Sequence, residues 1–178
     1  MVQIPDTAPV LKLPYRGAPQ TVAVMKKAAL DSQTYRVRLL SEQVCSGIQS
    51  KDYLSEALAL YYFVCNRTRY MRDPRTIELV RAPYVVVDQL LAGHTPCLDC
   101  DDMAALLAAL LIMSGAEVRY MTVAFQNVFY KNMRQYSHVL LQAKEPRSST
   151  MITLDPVAGN QTPQMLKRVV AAAYWPVA

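Results

Sequence analysis

Cys97 and Cys100 stand at the head of the most apolar stretch of the chain, His94 to Gly115, HTPCLDCDDMAALLAALLIMSG. A thiolate attacks acyl carbons and exchanges with disulfides, and its surroundings decide whether it does either. Cys100 falls where a helix would begin, beside unpaired backbone N–H groups and the positive end of the helix dipole, which favour a thiolate and can donate to an oxyanion. Asp101 and Asp102 act against it, because nearby carboxylates raise a thiol pKa. A base or counter-ion must therefore come from elsewhere. The sequence has two histidines, His94 and His138. His138 opens the segment SHVLLQAKE, and Asp155 closes MITLDPV. A Cys–His–Asp triad follows, in which Cys100 attacks an acyl carbon and His138 takes the thiol proton and returns it to the leaving group. Asp155 holds the imidazole tautomer. The imidazolium also offsets Asp101 and Asp102. His94, six positions before Cys100, reads as a loop residue.

These residues need elements to hold them. Asp99 is a good N-cap type, Met103, Leu106, Leu107 and Leu110 repeat at helical spacing, and Gly115 supplies a stop. Alanines with Leu111, Ile112 and Met113 fill the remaining positions, so the helix is apolar nearly all round and belongs at the centre of a domain. A membrane span needs roughly 20 apolar residues, and this run is shorter. After Gly115 the period changes to two. EVRYMTVAFQ reads as a strand buried on much of both faces, NVFYKNMRQ connects it to SHVLLQAKE, and the EPRSST turn leads to MITLDPV. Adjacent antiparallel strands would set His138 beside Asp155, and the buried helix packed across them would present Cys100. The expected fold class is α+β, with N-terminal helices and a buried cysteine-bearing helix on an antiparallel sheet.

Upstream, Pro5, Pro9, Pro14 and Pro19 make residues 1–20 an extended arm, which packs on its own domain or docks on a neighbour. Between Asp31 and Gly47 the pattern YRVRLL alternates like a strand, yet Leu39, Leu40, Gln43 and Val44 favour a helix. Asp52 caps a clearer helix whose stripe of Tyr53, Leu54, Ala57, Leu58, Tyr61, Tyr62 and Cys65 reads as core packing. Cys45 and Cys65 read as core residues. Asp73-Pro74 and Ala82-Pro83 mark turns, and Pro83 opens a short helix ending near Gly93. Residues 161–178, with QMLKRVVAAAYW, read as a helical tail, which leaves 21–160 as the domain proper.

With 178 residues, 52% of them hydrophobic, the chain suits one well-buried domain. No basic segment followed by an apolar one opens the sequence, so the expected setting is the cytoplasm or an assembly built there. Four cysteines are too few for a disulfide scaffold and read as free thiols. The net charge of +5 owes much to Arg67, Arg69, Arg72, Arg75 and Arg81, but Asp73 and Glu78 interleave. That pattern reads as a solvated charged face rather than a nucleic-acid patch. Cys45 and Cys65 lack the paired spacing of a zinc site, and neither metal nor cofactor is expected.

The three motifs together resemble the transglutaminase-like superfamily, a group of papain-like cysteine enzymes that includes peptidases, amidases and acyl transferases. CLDCDDMAALLAALLIMSGAEVRYMTVAF is similar to its cysteine helix and first strand, YSHVLLQ to its histidine strand, and MITLDPV to its aspartate strand. The resemblance spans Asp52 to Val157 and implies Cys100 as nucleophile, His138 as general base, Asp155 as its orienting acid, and a protein or peptide substrate. RYMRDPRTIELVRAP is similar to the region before the cysteine in members encoded by bacteriophages and prophages. That implies the cytoplasm of a host cell or a virion, with phage structural proteins as partners through the arm or the tail. Leu98 stands where many relatives have a small residue, and Val139 where many have tryptophan; both bear on substrate class. Two alternatives stay open: a structural or assembly protein of a phage particle that keeps the fold with an idle site, and a C-x-x-C thiol redox protein using Cys97 and Cys100.

Overall fold

The computed structural model describes residues 10–14, 17–74, 77–130, 132–146 and 149–177. In chain order the first half comprises β1 (Val10–Pro14), α1 (Ala18–Asp31), α2 (Tyr35–Val44), α3 (Tyr53–Arg67), β2 (Arg69–Tyr70), β3 (Ile77–Arg81), α4 (Pro83–Leu91) and β4 (Cys97–Leu98). The second half comprises α5 (Cys100–Met113), β5 (Glu117–Ala124), β6 (Phe129–Tyr130), β7 (Met133–Arg134), β8 (His138–Lys144), β9 (Met151–Leu154), a 3-10 turn (Gly159–Gln161), α6 (Thr162–Leu166) and β10 (Ala171–Pro176).

Helix α5 is the hub. From Met103 to Leu111 no residue is more than 2% exposed. A helix without a polar side must be enclosed on every side, and α1, α2, α3, α4, β5 and β8 all pack on this one. Local chemistry starts the helices around it. Thr34 accepts from the Val37 amide to cap α2, and Asp52 accepts from the Ser55 amide to cap α3. Pro83 lies in the first turn of α4, where a missing N–H costs nothing. Helix α1 has no counterpart in the sequence reading, while α2 fits the helix favoured between Asp31 and Gly47.

The main sheet runs β10-β5-β8-β9 and is antiparallel throughout. Strand β5 lies inside it and is buried on both faces. One face meets α5, and Met121 and Val123 on the other share a small apolar cluster with Leu140 and with Met165 and Leu166 of α6. The expected connector NVFYKNMRQ carries a small hairpin, β6–β7, turned at Asn132 with φ 61°. Among the described residues, no helix is long and apolar enough to cross a membrane.

Two terminal expectations need correction. The tail is not a long helix: only Thr162–Leu166 is helical, and Ala171–Pro176 is strand β10, paired with Ala124 to Arg119 of β5. Strand β5 has a second edge of backbone N–H and C=O groups to satisfy, and that demand overrides the helical preference of three alanines. Trp175 then donates from its indole N–H to Thr122 Oγ1 at 3.0 Å, and the Arg119 guanidinium lies 4.5 Å over the Tyr174 ring. The arm ends earlier than expected, because α1 already begins at Ala18. Gly17 enters it at φ 99°, a left-handed value that suits glycine, and Pro19 sits harmlessly in the first turn. Val10–Pro14 pairs antiparallel with Ile77–Arg81. The rest of the arm (1–9, 15 and 16), Arg75 and the middle of the EPRSST turn lie outside the described residues.

Candidate active site

The site is assembled from four elements that meet at one end of the sheet. Asp99 caps α5 by accepting from the Asp102 amide at 3.2 Å, and its carbonyl accepts from the Met103 amide at 3.1 Å. This cap makes Cys100 the first helical residue, with the positive end of the helix behind it. The parallel pair β2–β4 lays another segment alongside: the Arg69 amide donates to the Pro96 carbonyl at 3.0 Å and the Met71 amide to the Leu98 carbonyl at 2.8 Å. Tyr70 and Arg72 are thereby carried to the same cavity wall as Cys100.

His138 comes from the sheet. It opens β8 in register with Val123, and the Ser137 amide donates to the Val123 carbonyl at 3.0 Å. Its Nε2 lies 2.7 Å from Asp155 Oδ2. A carboxylate only accepts, so Nε2 carries the proton and Nδ1 is left as the basic ring atom. Phe125, two residues beyond Val123 and hence on the same face of the sheet, stacks on the imidazole with centroids 6.3 Å apart. The Arg168 guanidinium sits 5.6 Å from the Phe125 ring.

Asp155 follows Leu154, the ladder partner of Leu141, and is fully buried. Its Oδ1 accepts from the amides of Val157 at 2.9 Å and Ala158 at 3.1 Å, which leaves Oδ2 for the histidine. Behind it the Tyr61 hydroxyl donates to the Asp155 carbonyl at 3.1 Å. Burial pushes the Tyr61 hydroxyl up to about 12, so it remains a donor over the ordinary pH range. The acid is thus held by its own turn and by α3.

Cys100 and His138 line one cavity of about 320 Å³, whose wall also includes Tyr70, Arg72, Tyr136 and the first turn of α1. Two acidic residues near the cysteine, Asp73 and Asp102, are engaged by backbone amides. Asp73 accepts from the Leu79 amide at 2.5 Å. Asp102, with its side chain 2% exposed, accepts from the Arg81 amide at 2.7 Å and faces Arg81 Nε at 3.5 Å. Arg81 also donates to the Cys97 carbonyl at 2.9 Å, which ties the cysteine loop to β3.

Burial pushes the Asp102 carboxyl up to about 7, with the nearby charges of Asp99 and Asp73 adding to the rise and Arg81 opposing it. The folded protein therefore keeps a proton on Asp102 that the unfolded chain releases near pH 4. Its contribution to stability is greatest below that pH and is lost as the pH climbs toward 7. Asp102→Asn removes this titration. Melting curves are expected to show a flatter dependence between pH 5 and 8 and a gain on the order of a few kcal/mol at pH 8. An unaltered slope would mean that Asp102 titrates as an ordinary carboxylate.

Neither a protein-family profile nor a curated protein sequence matches the chain. Two solved structures are similar in shape. One is a proposed protease from Parabacteroides distasonis, with TM-score 0.53 and 15% identity over 79% of this chain and 26% of that one. The other is a proposed cysteine protease from Cytophaga hutchinsonii, with TM-score 0.50 and 16% identity over 92% of this chain and 54% of that one. The fold is α+β and papain-like. The chain spans about a quarter and about half of the length of these two proteins.

Of the residues singled out in the sequence, His138 and Asp155 are joined by a hydrogen bond, and Cys100 shares the cavity with His138. Cys97 lies on β4 and is not among the residues lining that cavity, and His94 is exposed on the loop after α4. Cys45 and Cys65 pack against the core, where burial raises both thiols, Cys65 to about 11. Sequence reasoning missed Arg72, Phe125 and Tyr61. Arg72 was hidden inside an arginine-rich run that looked like a solvated face, and only its pairing next to the cysteine loop sets it apart. The helical stripe of Tyr61 gives its packing but not the partner of its hydroxyl.

Proposed function

We propose that the chain is a cysteine-dependent hydrolase or acyl transferase acting on amide bonds of a protein or peptide. The observation that carries this reading is the 2.7 Å contact of His138 Nε2 with Asp155 Oδ2 on the cavity that Cys100 also lines. The names of the two structures of similar shape agree with a peptidase-like activity.

In this scheme Cys100 gives its proton to His138 Nδ1 and its sulfur attacks the amide carbonyl carbon. The charge that builds on the carbonyl oxygen lies beside the first turn of α5, where backbone dipoles favour it. The carbon–nitrogen bond breaks as the departing amine takes the proton from His138, leaving a thioester on Cys100. Water, or an amine in a cross-linking reaction, then gives a proton to His138 and attacks the thioester carbonyl, and the thiolate leaves and is reprotonated. Asp155 keeps the ring oriented and stabilises the imidazolium in both halves.

Alkylation of Cys100 by iodoacetamide, followed by peptide mass spectrometry between pH 5 and 9, tests the scheme. The native protein is expected to react fast at pH 6, and His138→Ala to react about a hundredfold more slowly there, as an ordinary thiol would. Cys97→Ser is expected to leave the rate nearly unchanged, whereas a dithiol redox site would lose its function. Equal, slow labelling of the native protein and His138→Ala would end the proposal.

A further inference from the structure

We infer that Arg72 makes the cavity selective for substrates with a carboxylate close to the scissile amide, as in an acidic peptide segment. The inference rests on the nucleophilic role proposed for Cys100. Arg72 is the one lysine or arginine among the described residues lining the cavity, and it makes no ion pair within the described residues. It is exposed, its guanidinium lies against the Tyr70 hydroxyl, and it is close enough to Cys100 to feel the charge of a thiolate. Arg81 is the opposite case, since its guanidinium is taken up by Asp102 and the Cys97 carbonyl.

The cavity wall also contains the carboxylates of Asp73, Asp99 and Asp101, each less exposed than Arg72. Asp73 is engaged by the Leu79 amide, Asp99 by the Asp102 amide, and Asp101 is only 1% exposed. Arg72 is the most exposed of the charged side chains on this wall, and the planar donors of its guanidinium fork match a carboxylate. The first turns of α1 and α5, both on the wall, add the positive ends of two helix dipoles. A carboxylate seated on Arg72 holds the neighbouring carbonyl within reach of the sulfur.

Two probes of nearly equal size isolate this effect. Iodoacetate and iodoacetamide react alike, the sulfur displacing iodide from the same methylene carbon, and differ only in carboxylate against carboxamide. Anything that alters the thiolate itself changes both rates, so the change in their ratio when Arg72 alone is substituted reports the charge that Arg72 places at the site. The native protein is expected to favour iodoacetate, relative to the ratio found for the Cys100 peptide in denatured protein, and to lose that preference as salt is added. Arg72→Gln is expected to lower the iodoacetate-to-iodoacetamide ratio roughly tenfold, and Arg72→Lys to restore part of it. The same ratio in Arg72→Gln as in the native protein, with both variants folded by circular dichroism, would overturn the inference. His138→Ala tests the reading beneath it separately, because it slows even the neutral iodoacetamide about a hundredfold at pH 6, whereas Arg72→Gln is expected to leave the iodoacetamide rate within a few fold of native.

Discussion

Asp155→Asn is expected to lower amide turnover by roughly 10³–10⁴-fold while the protein still folds. The reason lies in how the carboxylate is divided. Oδ1 accepts from two backbone amides, of Val157 and Ala158, and Oδ2 faces His138 Nε2. Those amides can only donate, so the single oxygen of an asparagine stays with them and its NH₂ group turns to the imidazole. The ring must then accept at Nε2 and carry its proton on Nδ1, where it no longer takes a proton from a thiol. In the labelling assay this variant behaves as an unassisted cysteine, slowed about a hundredfold at pH 6 and little changed near pH 9. Asp155→Ala removes the wrong donor together with the right acceptor, and is expected to be no worse for turnover although it leaves a buried gap. An Asp155→Asn variant with more than a tenth of native turnover would show that Asp155 does not set the tautomer.

The largest effect on stability is expected at the hub helix. Leu107 is fully buried in α5, a helix that packs on four other helices and on strands β3, β4, β5 and β8. Leu107→Ala deletes side-chain carbons from a place where the surroundings are held by several elements and cannot close in. A loss of about 3–5 kcal/mol is expected, the upper part of the range for such truncations. Urea titration should show a lower midpoint with little change in slope. At temperatures where the variant remains folded, Cys100 should keep most of its native labelling rate, because the cap at Asp99 and the histidine pair are untouched. A loss under 1 kcal/mol would mean that the core around α5 relaxes far more readily than its packing implies.

Much of this arrangement was legible because it rests on local chemistry. The all-apolar helix could only be central, Asp99 could only be a cap, and the switch to period two after Gly115 set the strands and put His138 and Asp155 at strand ends. The rest depends on pairings between segments far apart in sequence. Nothing local in AAAYW announces that it will close the open edge of β5, and its alanines point the other way. Likewise RYMR reads as a charged run until β2 is seen beside β4. Aspartates near a cysteine looked unfavourable by composition, and only the third dimension shows that backbone amides of Arg81, Leu79 and Asp102 engage Asp102, Asp73 and Asp99 in turn.

Strand β10 has a practical consequence for handling the protein. It covers the edge of β5 from Arg119 to Ala124, on a strand largely buried on both faces. Trimming residues 171–177 would leave that edge as a row of bare ladder groups, able to zip onto the same edge of another molecule. A shortened version would then be lost from solution by sticking to its own kind, and missing activity would be mistaken for damage at a site the trimming never touched.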